Sequence, residues 1–250
     1  MSDTNRMITA NKLLNDTAVE VGLNPVQDPY ASTDPIFQQM VYLLNSAGQE
    51  LVSMYEWSFL VGSAEVITDS TTNPDGKYPL PDDFSYMIDQ TGWDRDRRLP
   101  MQGPLTPQQW TYLEGRNLAS STIYATFRLV DNQVWIYPTP PPDGLRITYE
   151  YIKRTWVMYG SSPTIGYRDE VQAGSDLIMF EPILMKRWLK LKWKAAKGFD
   201  TSGEASEFGL AFDSWTGKSS GAEVLNGAGS RRGYPFLNVW RNLGDTGFGL

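Results

Sequence analysis

The spacing of apolar residues changes twice along this chain, and the two changes limit the folds open to it. Ile36, Phe37, Met40, Val41, Leu44, Ala47, Leu51, Val52 and Tyr55 recur three or four apart, the period of a helix face. Asp34 stands at the N-cap position with Pro35 at the first helical position, a usual helix start. From Phe59 the pattern becomes strand-like, with Val61, Ala64, Val66 and Thr68. Helical spacing returns at Ile183, Leu184, Trp188, Leu189, Leu191 and Trp193, after Pro182 and before Gly198. A last helix is expected over 201–216, with Thr201 and Glu204 as a capping box and Ala205, Phe208, Ala211, Phe212 and Trp215 on one face. A first helix is expected over 8–21, ending at Gly22.

Helices therefore bracket a strand-rich block. The expected class is α+β: a helical bundle from 1–58 and 176–216, with an antiparallel β-rich domain inserted at 59–175. Within the block, Asn73-Pro74-Asp75-Gly76 and Pro140-Pro141-Pro142-Asp143-Gly144 are turns. Phe84–Ile88 and 145–153 suit strands, and Thr122–Val130 with Gln133–Tyr137 flank Asp131-Asn132 as a tight hairpin. Thr106 caps a short helix at 107–114, and 154–175 is expected as a loop-rich connection. Residues 217–250 are expected as a Gly/Ser/Asn-rich linker and an extended C-terminal tail.

Three runs in the middle carry a likeness to a known family. They are Tyr78-Pro79-Leu80-Pro81-Asp82-Asp83-Phe84, then Gly92-Trp93-Asp94-Arg95-Asp96-Arg97-Arg98-Leu99-Pro100, then Gly103-Pro104-Leu105-Thr106-Pro107-Gln108-Gln109-Trp110. The order continues through Arg128-Leu129, Trp135–Pro140 and Tyr149–Tyr151 to the helix end at Trp193–Gly198. This series resembles the tail tubular protein A family, head–tail adaptors that form a ring under the portal of short-tailed phages. The resemblance implies a structural virion protein of the tail or neck, assembled in the host cytoplasm. It implies a homo-oligomeric ring, a dodecamer to match the portal, with the portal protein on one side and the downstream tail (nozzle) protein on the other. DNA would pass through the channel without specific binding. No cofactor and no catalytic residue come with the likeness.

Composition narrows the chemistry independently. The chain has no cysteine and no histidine, which removes disulfides, thiolate nucleophiles, Cys/His zinc sites and every His-based triad. A net charge of −7 opposes general nucleic-acid coating. The most apolar run, Leu177–Phe180, meets Glu181 at once and is far short of the ~20 residues of a membrane helix; Met1–Arg6 has no apolar signal core. Asp82/Asp83, Asp94/Asp96 and Asp169/Glu170 are the carboxylate pairs. The first reads as turn formers and the second as local ion pairs rather than a glycosidase dyad. Lys186, Arg187, Lys190, Lys192, Lys194 and Lys197 make 182–197 basic: a solvated face, or a seat for an acidic partner or DNA. The aromatics of the block leave a carbohydrate-binding tail component as the alternative function.

Two surfaces are expected to carry the adaptor role. The turns of the β block, with Asn73, Asp75, Pro140 and Asp143, are the expected tail interface, because binding loops sit on rigid scaffolds. The segment after the linker holds Tyr234, Pro235, Phe236, Leu237, Val239, Trp240, Arg241 and Phe248. Exposing such side chains forgoes ~1.5–3 kcal/mol of burial each. They either fold back on their own subunit or dock on a neighbour, and the linker length favours the neighbour. The resemblance makes that neighbour the portal.

Overall fold

A computed structural model describes residues 7–116, 125–161 and 163–219. The chain opens with strand β1 (Ile8–Thr9) and turns directly into α1 (Ala10–Glu20). Thr9 Oγ1 accepts the Lys12 N–H at 3.3 Å and so caps the helix. Ile8 was expected inside that helix; it pairs instead with Ile178. Helix α2 (Pro35–Met54) starts as its sequence demands, with Asp34 Oδ1 accepting the Ile36 N–H at 2.9 Å. A 3-10 turn at Ser58–Leu60 leads into the β block.

The block holds β2 (Val61–Ile67), β3 (Lys77–Pro79), β4 (Phe84–Met87), β5 (Trp93–Asp94) and β6 (Leu99–Pro100), then α3 (Pro107–Arg116), then β7 (Thr126–Val130), β8 (Gln133–Tyr137) and β9 (Arg146–Lys153). The Thr106 hydroxyl accepts the Gln109 N–H while Gln109 Oε1 accepts the Thr106 N–H, a reciprocal cap at the start of α3. Asp131 and Asn132 take φ of 51° and 58°, and β7 pairs antiparallel with β8 around them, the tight hairpin expected from sequence. Strand β9 is the central strand of one sheet, pairing with β2 on one edge and with β4 and β5 on the other. Strands β3, β8 and β7 form a second sheet.

Beyond β9 the structure corrects the expectation of a loop. Strands β10 (Val157–Ser161) and β11 (Thr164–Arg168) form an antiparallel hairpin. Its outward side chains Tyr159, Ile165 and Tyr167 are exposed apolar groups, so no polar–apolar alternation announces it. Gly166 also weakens the signal, yet the fold needs it: a Cβ there would lie 2.3 Å from the Tyr159 ring. Strand β12 (Leu177–Ile178) then joins β1 to β10, which ties the first residues of the chain to the end of the block.

Helices α4 (Pro182–Ala196) and α5 (Ser202–Ser219) complete the chain. The capping box expected at Thr201 and Glu204 is replaced by another cap: Asp200 accepts the Ser202 N–H at 3.0 Å and its hydroxyl at 3.1 Å. Glu204 turns to Lys194 and Lys190 on α4 instead. An ion pair to a facing helix outcompetes the local backbone donor here. No helix among the described residues is long and apolar enough to cross a membrane.

Two apolar clusters organise the molecule. One gathers Leu13, Leu14, Met40, Leu44, Leu51, Leu184 and Leu189 from α1, α2 and α4 around Trp57, Trp156, Ile178 and Phe180. The other gathers Tyr78, Met101, Phe127, Val134, Ile136, Ile147 and Tyr149 between the sheets of the block. The fold is thus α+β with antiparallel sheets between helices drawn from both parts of the chain.

Candidate docking surface

The two turns expected to meet a partner are built as one unit. Thr68, at 1% exposure, sits between them. Its hydroxyl donates to the Pro142 carbonyl at 2.5 Å and accepts the Leu145 N–H at 2.9 Å. Its backbone bonds Gly144 and Leu145 as well. Asp143 Oδ1 accepts the Ser70 N–H at 2.6 Å. Asp69 holds the other side: its carboxylate accepts the N–H groups of Thr71 and Thr72 and the Thr72 hydroxyl. The Asp69 N–H in turn donates to the Tyr78 hydroxyl. Backbone bonds from Asn73 to Asp69 and from Ile136 to the Gly76 carbonyl close the unit onto β8.

The chemistry of this end follows from those bonds. The Thr72 hydroxyl bond, then the Thr71 and Thr72 N–H bonds, hold the Asp69 carboxyl below the usual carboxylate range. Asp143 is lowered chiefly by its bond to Ser70, and Asp75 by Lys77, 3.1 Å away. Burial pushes the Tyr78 phenol up. All three carboxyls are therefore charged at neutral pH, on a surface fixed by backbone bonds. Of the predicted tail-interface residues, Asp75, Pro140 and Asp143 are exposed and Asn73 is half-buried, so the fold presents all four at one end of the block. Sequence reasoning missed the residues that hold them, Thr68, Asp69 and Tyr78. The run Asp69-Ser70-Thr71-Thr72 was the available signal, since Asp followed by hydroxyl residues favours such turns.

The remaining candidates are engaged elsewhere. Asp83 Oδ1 accepts the Tyr151 hydroxyl at 2.8 Å, Asp94 holds the N–H groups of Asp96 and Arg97, and Asp169 lies 3.7 Å from Arg154. No group of three or more acidic residues that could hold a metal occurs among the described residues. Part of the block's aromatic set packs inward: Trp110 meets Trp135 and Tyr137 edge-on, with ring centroids 6.0 and 6.2 Å apart, while Tyr112, Tyr159 and Tyr167 are exposed.

The basic helix α4 is neither a solvated face nor an open cationic seat. Lys186 pairs with Asp16 on α1, Lys192 with Glu50 on α2, and Lys190 and Lys194 with Glu204 on α5. Arg187 donates to the Glu207 carbonyl at 2.8 Å, and Lys197 lies 5.7 Å over the Trp193 ring. The helix sits at the middle of the bundle, and its cations hold the neighbouring helices.

The predicted portal-interface residues Tyr234, Pro235, Phe236, Leu237, Val239, Trp240, Arg241 and Phe248 lie outside the described residues. No curated protein matches the chain. A family model described as SU10 adaptor protein matches residues 8–198. That span contains the described strands, helices α1 to α4 and both candidate turns, so the chain belongs to the SU10 adaptor protein family, a phage adaptor family that is structural rather than catalytic.

Proposed function

We propose that this protein is a ring-forming head–tail adaptor that joins the portal to the downstream tail protein and leaves a channel for DNA. The family match over residues 8–198 carries the reading. The resemblance to tail tubular protein A agrees with it at the level of a head–tail adaptor, and the carbohydrate-binding alternative finds no support in the match. In this reading the turns around Thr68 face the next tail protein. Backbone and side-chain bonds preorganise them, so little conformational entropy is lost on docking. The segment from Tyr234 onward is the portal anchor, and DNA passes without specific contact because the cations of α4 are neutralised within the subunit.

The test is a variant at the exposed tips, Thr71→Arg with Asp75→Arg, which leaves Thr68, Asp69 and Asp143 in place. Phage particles carrying it, counted by electron microscopy, should retain the adaptor ring and lack the downstream tail. Normal tails on a normally folded variant would move the tail contact to the helices.

A further inference from the structure

A second charged feature lies at the same end of the block as the turns. Strands β5 and β6 pair Trp93 with Pro100 and Asp94 with Leu99, so Arg95–Arg98 is a four-residue tip. Each acidic residue of this hairpin uses one carboxylate oxygen to hold backbone N–H groups. Asp94, at 2% exposure, accepts the N–H groups of Asp96 and Arg97, and Asp96 Oδ2 accepts the Arg146 N–H at 2.6 Å. The Arg95 N–H returns a bond to the Arg146 carbonyl at 2.9 Å. Arg146 opens β9 two residues after Gly144, so the tip is stitched to the docking turn itself.

The carboxylates thus fix the tip while the arginines remain at the surface. Arg95, Arg97, Arg98 and Arg146 are all exposed. Arg95 Nε is held by the Thr148 hydroxyl at 2.7 Å, and Arg97 Nε lies 3.9 Å from Asp94. The Arg98 and Arg146 side chains have no hydrogen-bond or ion-pair partner among the described residues. The contrast with α4 is sharp, since there most cations meet a carboxylate of the same subunit. Guanidinium forks without partners match carboxylate or phosphate oxygens in pairs.

The neighbours decide between those two anions. Asp69, Asp75 and Asp143 stand on the adjoining turns, ionised at neutral pH. A DNA duplex carries negative charge all along its length and would meet those carboxylates wherever it met the arginines. A folded protein surface can place carboxylates over the arginines and cations or neutral donors over the turns. We infer that the Arg95–Arg98 tip and Arg146 form the second half of the docking surface and receive an acidic segment of the protein seated on the turns. This rests on the adaptor reading given above.

The experiment uses the full chain and two labelled probes, an oligoglutamate peptide of about ten residues and a DNA duplex of about twenty base pairs. Anisotropy titrations at low salt compare the wild type with Arg98→Glu/Arg146→Glu and with the milder Arg98→Gln/Arg146→Gln. The wild type should bind the peptide more tightly than the duplex. The charge-reversed variant should lose about tenfold in peptide affinity with an unchanged melting temperature, the neutral variant less. Unchanged peptide affinity in both variants overturns the inference. So does a duplex bound more tightly than the peptide through the same arginines, which would make the tip a phosphate contact. Tail attachment separates this inference from the reading beneath it. If the Thr71→Arg/Asp75→Arg variant loses tails and the arginine variants keep them, the turns dock and the tip does not.

Discussion

Trp156 lies against the bare backbone of Gly48: a Cβ at residue 48 would sit 2.2 Å from its ring carbons. Trp156 is fully buried and its Nε1 donates to the Asp169 carbonyl at 2.7 Å. The pair locks the middle of α2 to the chain between β9 and β10, and so fixes the bundle against the sheets. Gly48→Ala should therefore destabilise by about 1–3 kcal/mol through overpacking, and Trp156→Ala by about 3–5 kcal/mol through the cavity it leaves. Urea denaturation of both variants checks this; a Gly48→Ala protein as stable as the wild type would mean that the contact is loose.

Thr68 latches the two candidate turns together. Thr68→Val keeps the volume but strands the Pro142 carbonyl and the Leu145 N–H, at a cost of about 1–3 kcal/mol. Thr68→Ser retains the hydroxyl and should lose less. Amide exchange at Asp143, Gly144 and Leu145 should quicken in the valine variant while exchange in α2 and α4 stays slow. Uniform acceleration would show that the turns are coupled to the whole fold rather than to each other.

Stability should fall at both ends of the pH scale for separate reasons. Asp69 and Asp143 have lowered values in the folded chain. Their contribution is present above the ordinary carboxylate range and disappears as pH falls through the folded values. Burial raises the Tyr149 phenol from 10.0 to about 12, so that contribution is complete below pH 10 and is lost as pH climbs from 10 towards 12. The buried Tyr149 hydroxyl has no hydrogen-bond partner among the described residues, so Tyr149→Phe should leave neutral-pH stability near wild type and flatten the alkaline decline. Asp69→Asn and Asp143→Asn should flatten the acid one. Melting temperatures measured from pH 2 to 12 decide each case.

The free protein should not shift a DNA duplex in a gel at moderate salt. The net charge of −7 opposes binding, and Lys190, Lys192 and Lys194 are already paired with Glu204 and Glu50. A shift that vanishes on replacing those three lysines would show that α4 itself contacts DNA.

What could be read in advance depended on the range of the forces involved. Asp34-Pro35 and the apolar period behind them placed α2 correctly because capping and periodicity are local. Asp131-Asn132 gave the β7–β8 hairpin for the same reason. The β10–β11 hairpin escaped because Tyr159, Ile165 and Tyr167 face solvent although they are apolar. The failed cap at Thr201 and the pairing of α4 share another cause: an acidic side chain chose a cation on a facing helix, and no local pattern reports which helices will face. The candidate turns were legible singly, from Pro, Asp and Gly. Their union was not, because Thr68 reaches Pro142 across 74 residues of sequence.

Whether this chain seats on the portal as an adaptor is tested by imaging portal rings mixed with the purified full chain. A second ring of density should lie beneath each portal. That ring should be absent when the chain ends at Gly233, while the shortened protein melts at the full-length temperature. Bare portals with the full-length protein, or a shortened protein that melts much lower and still joins the portal, would contradict it.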